Sequence, residues 1–170
     1  MKIHNLSAAE QALNKAIFYH ESPIGELKEL NLSIYEHGQV YVYFADSPLI
    51  ALLYVVKPVS KPFSLYPYGF DNNDNVIYSE YFKDTFKKLY QGKRSFLYVC
   101  HQILNAEQFT QIKFVYICSD SVKVDKVTEI PDLYLCFKKQ EQSGKFRIRA
   151  FHEISEEEMD YVVSNLKETV

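Results

Sequence analysis

Val40-Tyr41-Val42-Tyr43-Phe44-Ala45-Asp46-Ser47-Pro48-Leu49-Ile50-Ala51-Leu52-Leu53-Tyr54 changes structural character at its middle. Residues 40–45 are β-branched and aromatic, the composition of a strand. Asp46 or Ser47 offers a side-chain oxygen to cap a helix, and Pro48 suits its first position, where no backbone N–H is needed. The apolar run to Tyr54 then continues as that helix. The stretch therefore predicts a strand, a tight turn and a buried helix in succession.

Outward from it, the chain keeps mixing the two kinds of element. Upstream, Ser7 and Glu10 have capping-box spacing for a short helix reaching Lys15, and Ile17-Phe18-Tyr19-His20 reads as a strand ended by Ser22-Pro23-Ile24-Gly25. Downstream, residues 57–75 carry Pro58, Pro62, Pro67, Gly69 and Asp71-Asn72-Asn73-Asp74, the composition of a loop, hairpin or lid. Ser79 is expected to cap a helix with Phe82, Phe86, Leu89 and Tyr90 on one face and Gly92 as its stop. Strands are expected over 95–100, 113–118 and 122–127, and a short helix from Pro131 to Lys138. Between Lys145 and Phe151, Phe146, Ile148 and Ala150 alternate with Arg147 and Arg149, as in a strand with one buried face. Ser155 and Glu158 repeat the capping-box spacing before a last helix. The reading is one α+β domain spanning residues 1–170.

Composition narrows the function. With 14 Tyr, 12 Phe and no Trp, many interior positions hold a ring with a hydroxyl that needs a hydrogen-bond partner. The net charge of -3 gives no electrostatic reason to expect a nucleic acid, and the local cluster Lys87, Lys88, Lys93 and Arg94 reads as a solvated helix end. Cys100, Cys118 and Cys136 lack C-x-x-C spacing, so neither a disulfide framework nor a zinc knuckle is suggested, and a reducing cytoplasm is the expected location. The longest apolar run, 48–56, is too short for a bilayer, so no membrane role is expected.

The five glycines, at 25, 38, 69, 92 and 144, cannot form G-x-G-x-x-G or a P-loop, which excludes both familiar phosphate cradles. The histidines are dispersed, without metal-ligand spacing. Cys100 and His101 are neighbours on a strand and point to opposite faces, so they make no nucleophile and base pair there.

Two segments remain: Tyr19-His20-Glu21-Ser22 at one strand end, and Tyr41 to Ser47 followed by a helix carrying Tyr54. Together they resemble the ADP-ribosyltransferase superfamily over about residues 17–56. The first is similar to that family's strand ending in His-Gly-Ser or His-Gly-Thr. The second is similar to the Tyr-Phe-Ala-Asp segment of the poly(ADP-ribose) polymerases and the Val-Tyr-Leu-Thr-Ala segment of the small bacterial rifampin ADP-ribosyltransferases. In the polymerases a second tyrosine follows the first at the interval that separates Tyr43 from Tyr54.

The resemblance implies a split, strongly curved pair of small sheets with flanking helices, NAD as substrate, and transfer of ADP-ribose to an acceptor that the sequence does not identify. By position, His20 would bind the adenosine ribose hydroxyls, Tyr54 would stack on nicotinamide, Tyr43 would form the facing wall, and Ser22, the motif's hydroxyl residue, joins the cofactor-binding set. An aromatic slot of this kind holds a planar cationic ring. Glu107, after the strand ending at Cys100, is the candidate for the family's late acidic residue, with Glu129 and Glu153 as competitors. Glu21 stands where the family has glycine, and Ala51 where the polymerases have a serine. The alternative is a non-catalytic domain of the same fold that binds a metabolite or a partner protein.

Overall fold

A computed structural model of the chain describes residues 17–34, 40–56, 67–101, 103, 105–109 and 112–167, the side chains of 33–34 and 165–167 excepted. The expected helix over 7–15 and the aromatic residues Phe63 and Tyr66 lie outside them. The chain divides into two compact units, one drawn from residues within 17–52 and 95–129, the other from residues within 53–94 and 130–167.

The first unit is built on β1 (Ile17–Ser22), β2 (Glu29–Leu30), β3 (Ser33–Ile34) and β4 (Val40–Ala45). Helix α1 (Pro48–Leu53) follows β4, and its last residue goes with the second unit. Ser47 occupies the N-cap position, its carbonyl accepting the Ala51 N–H at 3.1 Å.

In the second unit come β5 (Tyr68–Phe70) and β6 (Val76–Ser79). The first unit resumes with β7 (Ser95–His101), β8 (Glu107–Gln108), β9 (Val115–Cys118), β10 (Val122–Lys123) and β11 (Lys126–Ile130), whose last residue goes with the second unit. Its main sheet runs β11-β7-β1-β4-β9-β8, with β3 on β4, and β10 pairs with β2 separately. Strands β1 and β7 are antiparallel along their whole length, from Ile17↔His101 to Ser22↔Phe96. Alternation places Phe18, Val42, Phe44, Tyr98, Cys100 and Cys118 on one face, and these residues form the buried cluster of this unit. The Tyr98 hydroxyl, which needs a partner when buried, donates to the Ile24 carbonyl at 2.6 Å.

The single strand expected over 122–127 is two. Asp125 interrupts it: its Oδ2 accepts the His101 N–H at 2.6 Å and its own N–H donates to the Val99 carbonyl at 3.0 Å. These bonds end the β10 ladder and start β11 beside β7.

The second unit carries the three-stranded sheet β12-β6-β5, where β12 spans Phe146–Arg149. Strands β5 and β6 form an antiparallel hairpin, and Asp71 Oδ1 shapes its turn by accepting the N–H groups of Asn73 at 2.8 Å and Asn75 at 2.9 Å. Strand β12 is parallel to β6, which requires a long crossover; α2 (Thr85–Tyr90) and α3 (Leu133–Gln142) lie in the intervening sequence. Helix α4 (Glu156–Lys167) follows, opened as expected by Ser155, whose Oγ accepts the Glu158 N–H at 3.1 Å.

Ser79 does not cap a helix; it ends β6. Asp84 precedes α2 in the left-handed region at φ 60° without a side-chain cap, and the Glu80 carboxylate accepts the Phe86 N–H at 2.9 Å. The helix thus starts later than the apolar spacing suggested, and Phe82 falls outside it, exposed. Phe86 and Tyr90 do reach the core, where they meet Tyr78, Phe137 and Phe146, all fully buried. Ring centroids lie 4.5 Å apart for Phe86 and Tyr90 and 4.7 Å for Tyr78 and Phe86. Truncating one of these rings to alanine costs about 3–5 kcal/mol. The Tyr90 hydroxyl is satisfied by the Leu53 carbonyl at 2.6 Å.

No helix among the described residues is long and apolar enough to cross a membrane. All three cysteines are free thiols.

Candidate strand-edge site

His20 and Tyr43 come from segments far apart in sequence that β1 and β4 place side by side. The two strands pair antiparallel at Tyr19↔Ala45. One residue further along β1, the imidazole of His20 takes over: its Nδ1 lies 2.8 Å from the Tyr43 carbonyl oxygen. A carbonyl can only accept, so Nδ1 carries the proton. Burial also lowers the His20 pKa below 6.5, the carbonyl opposing this only in part. The ring is therefore neutral at physiological pH, and Nε2 presents a lone pair, an acceptor suited to a hydroxyl donor.

The side chains divide between the two faces of the sheet. His20, opposite Tyr98 in the ladder, projects on the face of the buried cluster, and its ring lies 6.1 Å from that of Phe44. Tyr43 projects on the other face. It is directly opposite Ile117, which is also opposite Glu107, so Tyr43, Ile117 and Glu107 form one cross-strand row. Two strand spacings, about 10 Å, separate its ends. Phe109 extends this aromatic face, its ring 6.1 Å from Tyr43. Glu107 is thus an exposed residue of a short strand.

Ser22 is buried at the end of β1, where its Oγ accepts the Ile24 N–H at 3.1 Å and its carbonyl accepts the Ser95 hydroxyl at 3.2 Å. It shapes the turn after the strand. Tyr54 belongs to the second unit, its hydroxyl 2.9 Å from that of Tyr68 and the two rings edge to face. The competitors of Glu107 differ in occupation. Glu129 is exposed on β11. Glu153 closes a single 3₁₀ turn by accepting the Ala150 N–H at 2.7 Å and pairing with Arg147 at 2.5 Å. Those bonds, the backbone one first, hold its carboxyl below the usual carboxylate range.

Glu21 is the residue that sequence reasoning treated only as a departure from glycine. It lies opposite Leu97, and burial pushes its carboxyl up to about 8. Its neighbour His20 is held neutral by the same physical cause. Desolvation of a strand residue depends on what covers the sheet, which no local pattern encodes. Asp46 is a second such case: desolvation raises its pKa, and the hydrogen bond from the Tyr116 hydroxyl opposes this in part.

No protein-family model, curated protein or solved structure matches the chain.

Proposed function

We propose that the chain is an ADP-ribosyltransferase-like protein that binds NAD and transfers its ADP-ribose to an acceptor. The observation that carries this reading is the His20 to Tyr43 contact. It brings the two motif segments together through a bond that fixes the imidazole tautomer and leaves Nε2 to accept from a ribose hydroxyl. Tyr43 and Glu107 share a cross-strand row on the sheet face opposite the His20 ring, so their roles at the nicotinamide and the ribose rest on the sequence resemblance. Tyr54 and Ser22 enter through the sequence resemblance, as does the split-sheet fold of that superfamily.

The chemistry assigned to Glu107 is electrostatic. The bond between the nicotinamide nitrogen and the ribose carbon breaks with its electron pair leaving on nicotinamide. Positive charge develops on the ribose, and a nearby carboxylate stabilises it until the acceptor's lone pair, or that of water, forms the new bond. Removing that charge lowers turnover by about two to three orders of magnitude and leaves NAD affinity nearly intact. The test is NAD hydrolysis by wild type, Glu107→Gln and Glu153→Gln. The expected result is a selective loss in Glu107→Gln; equal rates for wild type and Glu107→Gln would overturn the assignment.

A non-catalytic module is the second reading, favoured by the exposure of Glu107 and by the bulk of Glu21 beside His20. It is distinguished by NAD binding without hydrolysis in the wild type.

A further inference from the structure

The second unit holds a cleft of about 410 Å³ that the NAD reading does not use. Its walls include Tyr68, Phe70 and Ile77 from the β5–β6 hairpin, Tyr81 just after it, Arg149 at the end of β12, and Glu158 from the first turn of α4. This size suits a small organic ligand. Alternation puts the Ile77 side chain on the Arg149 face of the sheet, whereas Tyr68 and Phe70 project with Tyr78 and Val76 on the other face and meet the cleft along the edge strand.

The polar side centres on Arg149. Its Nη2 is ion-paired with Glu158 Oε1, and the same oxygen accepts the Tyr81 hydroxyl at 3.2 Å. Both Nε and Nη2 of Arg149 are buried and neither makes a well-aligned hydrogen bond among the described residues, Nη2 meeting Glu158 as an ion pair only. A guanidinium recognises an oxyanion best through two parallel N–H donors. Here one nitrogen is ion-paired with a carboxylate of the cleft wall without a well-aligned hydrogen bond, and another has no acceptor among the described residues. Glu158 thus stands where one oxygen of a ligand anion would sit, without satisfying the fork.

We propose that this cleft binds a small aromatic anion, a carboxylate or phosphate joined to a flat ring, with Arg149 holding the anion in place of Glu158 and Ile77, Tyr81 and Val162 lining the space for the ring. Glu158 is then a competing internal carboxylate. Its displacement leaves it the Tyr81 hydroxyl and its place at the helix N-terminus, which favours negative charge. The other carboxylates of that turn, Glu156 and Glu157, are exposed. The proposal does not depend on NAD binding.

The experiment is an NMR titration of the full chain with benzoate and with phenyl phosphate, with acetate and inorganic phosphate as ringless anions and benzamide as an uncharged ring. The expected result is that at least one aromatic anion shifts the amides of Gly69, Tyr81 and Arg149, at least about tenfold tighter than acetate, inorganic phosphate or benzamide. The benzoate and phenyl phosphate arms decide between carboxylate and phosphate. Arg149→Lys, which keeps the charge but loses the fork, and Arg149→Gln weaken binding by about tenfold, the loss of one charge-assisted contact. Glu158→Gln tightens it by about threefold or more, an effect that damage to the fold would not produce. Absence of shifts with both aromatic anions, equal binding of benzamide, shifts confined to other regions, or unchanged or weaker affinity in Glu158→Gln would each overturn the proposal.

Discussion

His20 and Glu21 are adjacent on β1, and burial drives their titrations in opposite directions. Glu21 titrates near 4.5 when unfolded and about 8 when folded, so between those values the folded state keeps a proton that the unfolded state has lost. The stability this contributes is full below 4.5 and disappears as pH rises to about 8. His20 acts in the opposite sense: as pH falls through 6.5 the unfolded chain takes up a proton that the buried ring resists, and stability declines. Comparing Glu21→Gln with wild type cancels the histidine. The variant should gain on wild type by about 1–3 kcal/mol between pH 5 and pH 8. Urea unfolding at the two pH values measures this, and an equal difference at both contradicts the buried-carboxyl account. None of this was legible in the motif, where Glu21 was only a side chain in place of glycine.

Helix α3 shows how one side chain can hold an element and its surroundings together. Asp132 sits at its N-cap, with Oδ1 accepting the Leu135 N–H at 3.0 Å and Oδ2 accepting the Gly92 N–H at 3.0 Å. Asp132→Ala removes both bonds and should destabilise the protein by about 1–2 kcal/mol. Thermal unfolding tests this, and a change within error would mean that water replaces both contacts. Local chemistry made some elements readable. β4 and α1 fall where the change of pattern at Asp46 and the proline at position 48 put them. The segment 79–92 was read less well, because the start of α2 depends on the Glu80 carboxylate and on the left-handed backbone at Asp84 rather than on apolar spacing. The split of 122–130 was likewise set by contacts of Asp125 with β7, more than twenty residues earlier.

For the molecule, composition and pattern revealed a mixed α and β protein with free cysteines, and the structure adds that its sheets are mostly antiparallel. Of the candidate site, the motifs led to the expectation of one cleft for His20 and Tyr43, but alternation puts their side chains on opposite faces of the sheet and joins them only through the Tyr43 carbonyl, and the row joining Tyr43 to Glu107 needed the register of β9 with both β4 and β8. The cleft around Arg149 was not legible at all, since it is assembled from residues spread between 67 and 162. The central claim is that the His20 and Tyr43 segments hold NAD. A ligand that binds only the folded state adds RT ln(1 + [L]/Kd), about 2.7 kcal/mol at a hundredfold excess over Kd, which raises Tm by roughly 5–10 °C for a chain of this size. Thermal melts of wild type and His20→Ala in millimolar NAD are the direct measurement. A rise of several degrees in wild type and its loss in His20→Ala is the predicted result, and an unchanged wild-type Tm, with a known NAD-binding protein shifting in the same assay, would contradict the account.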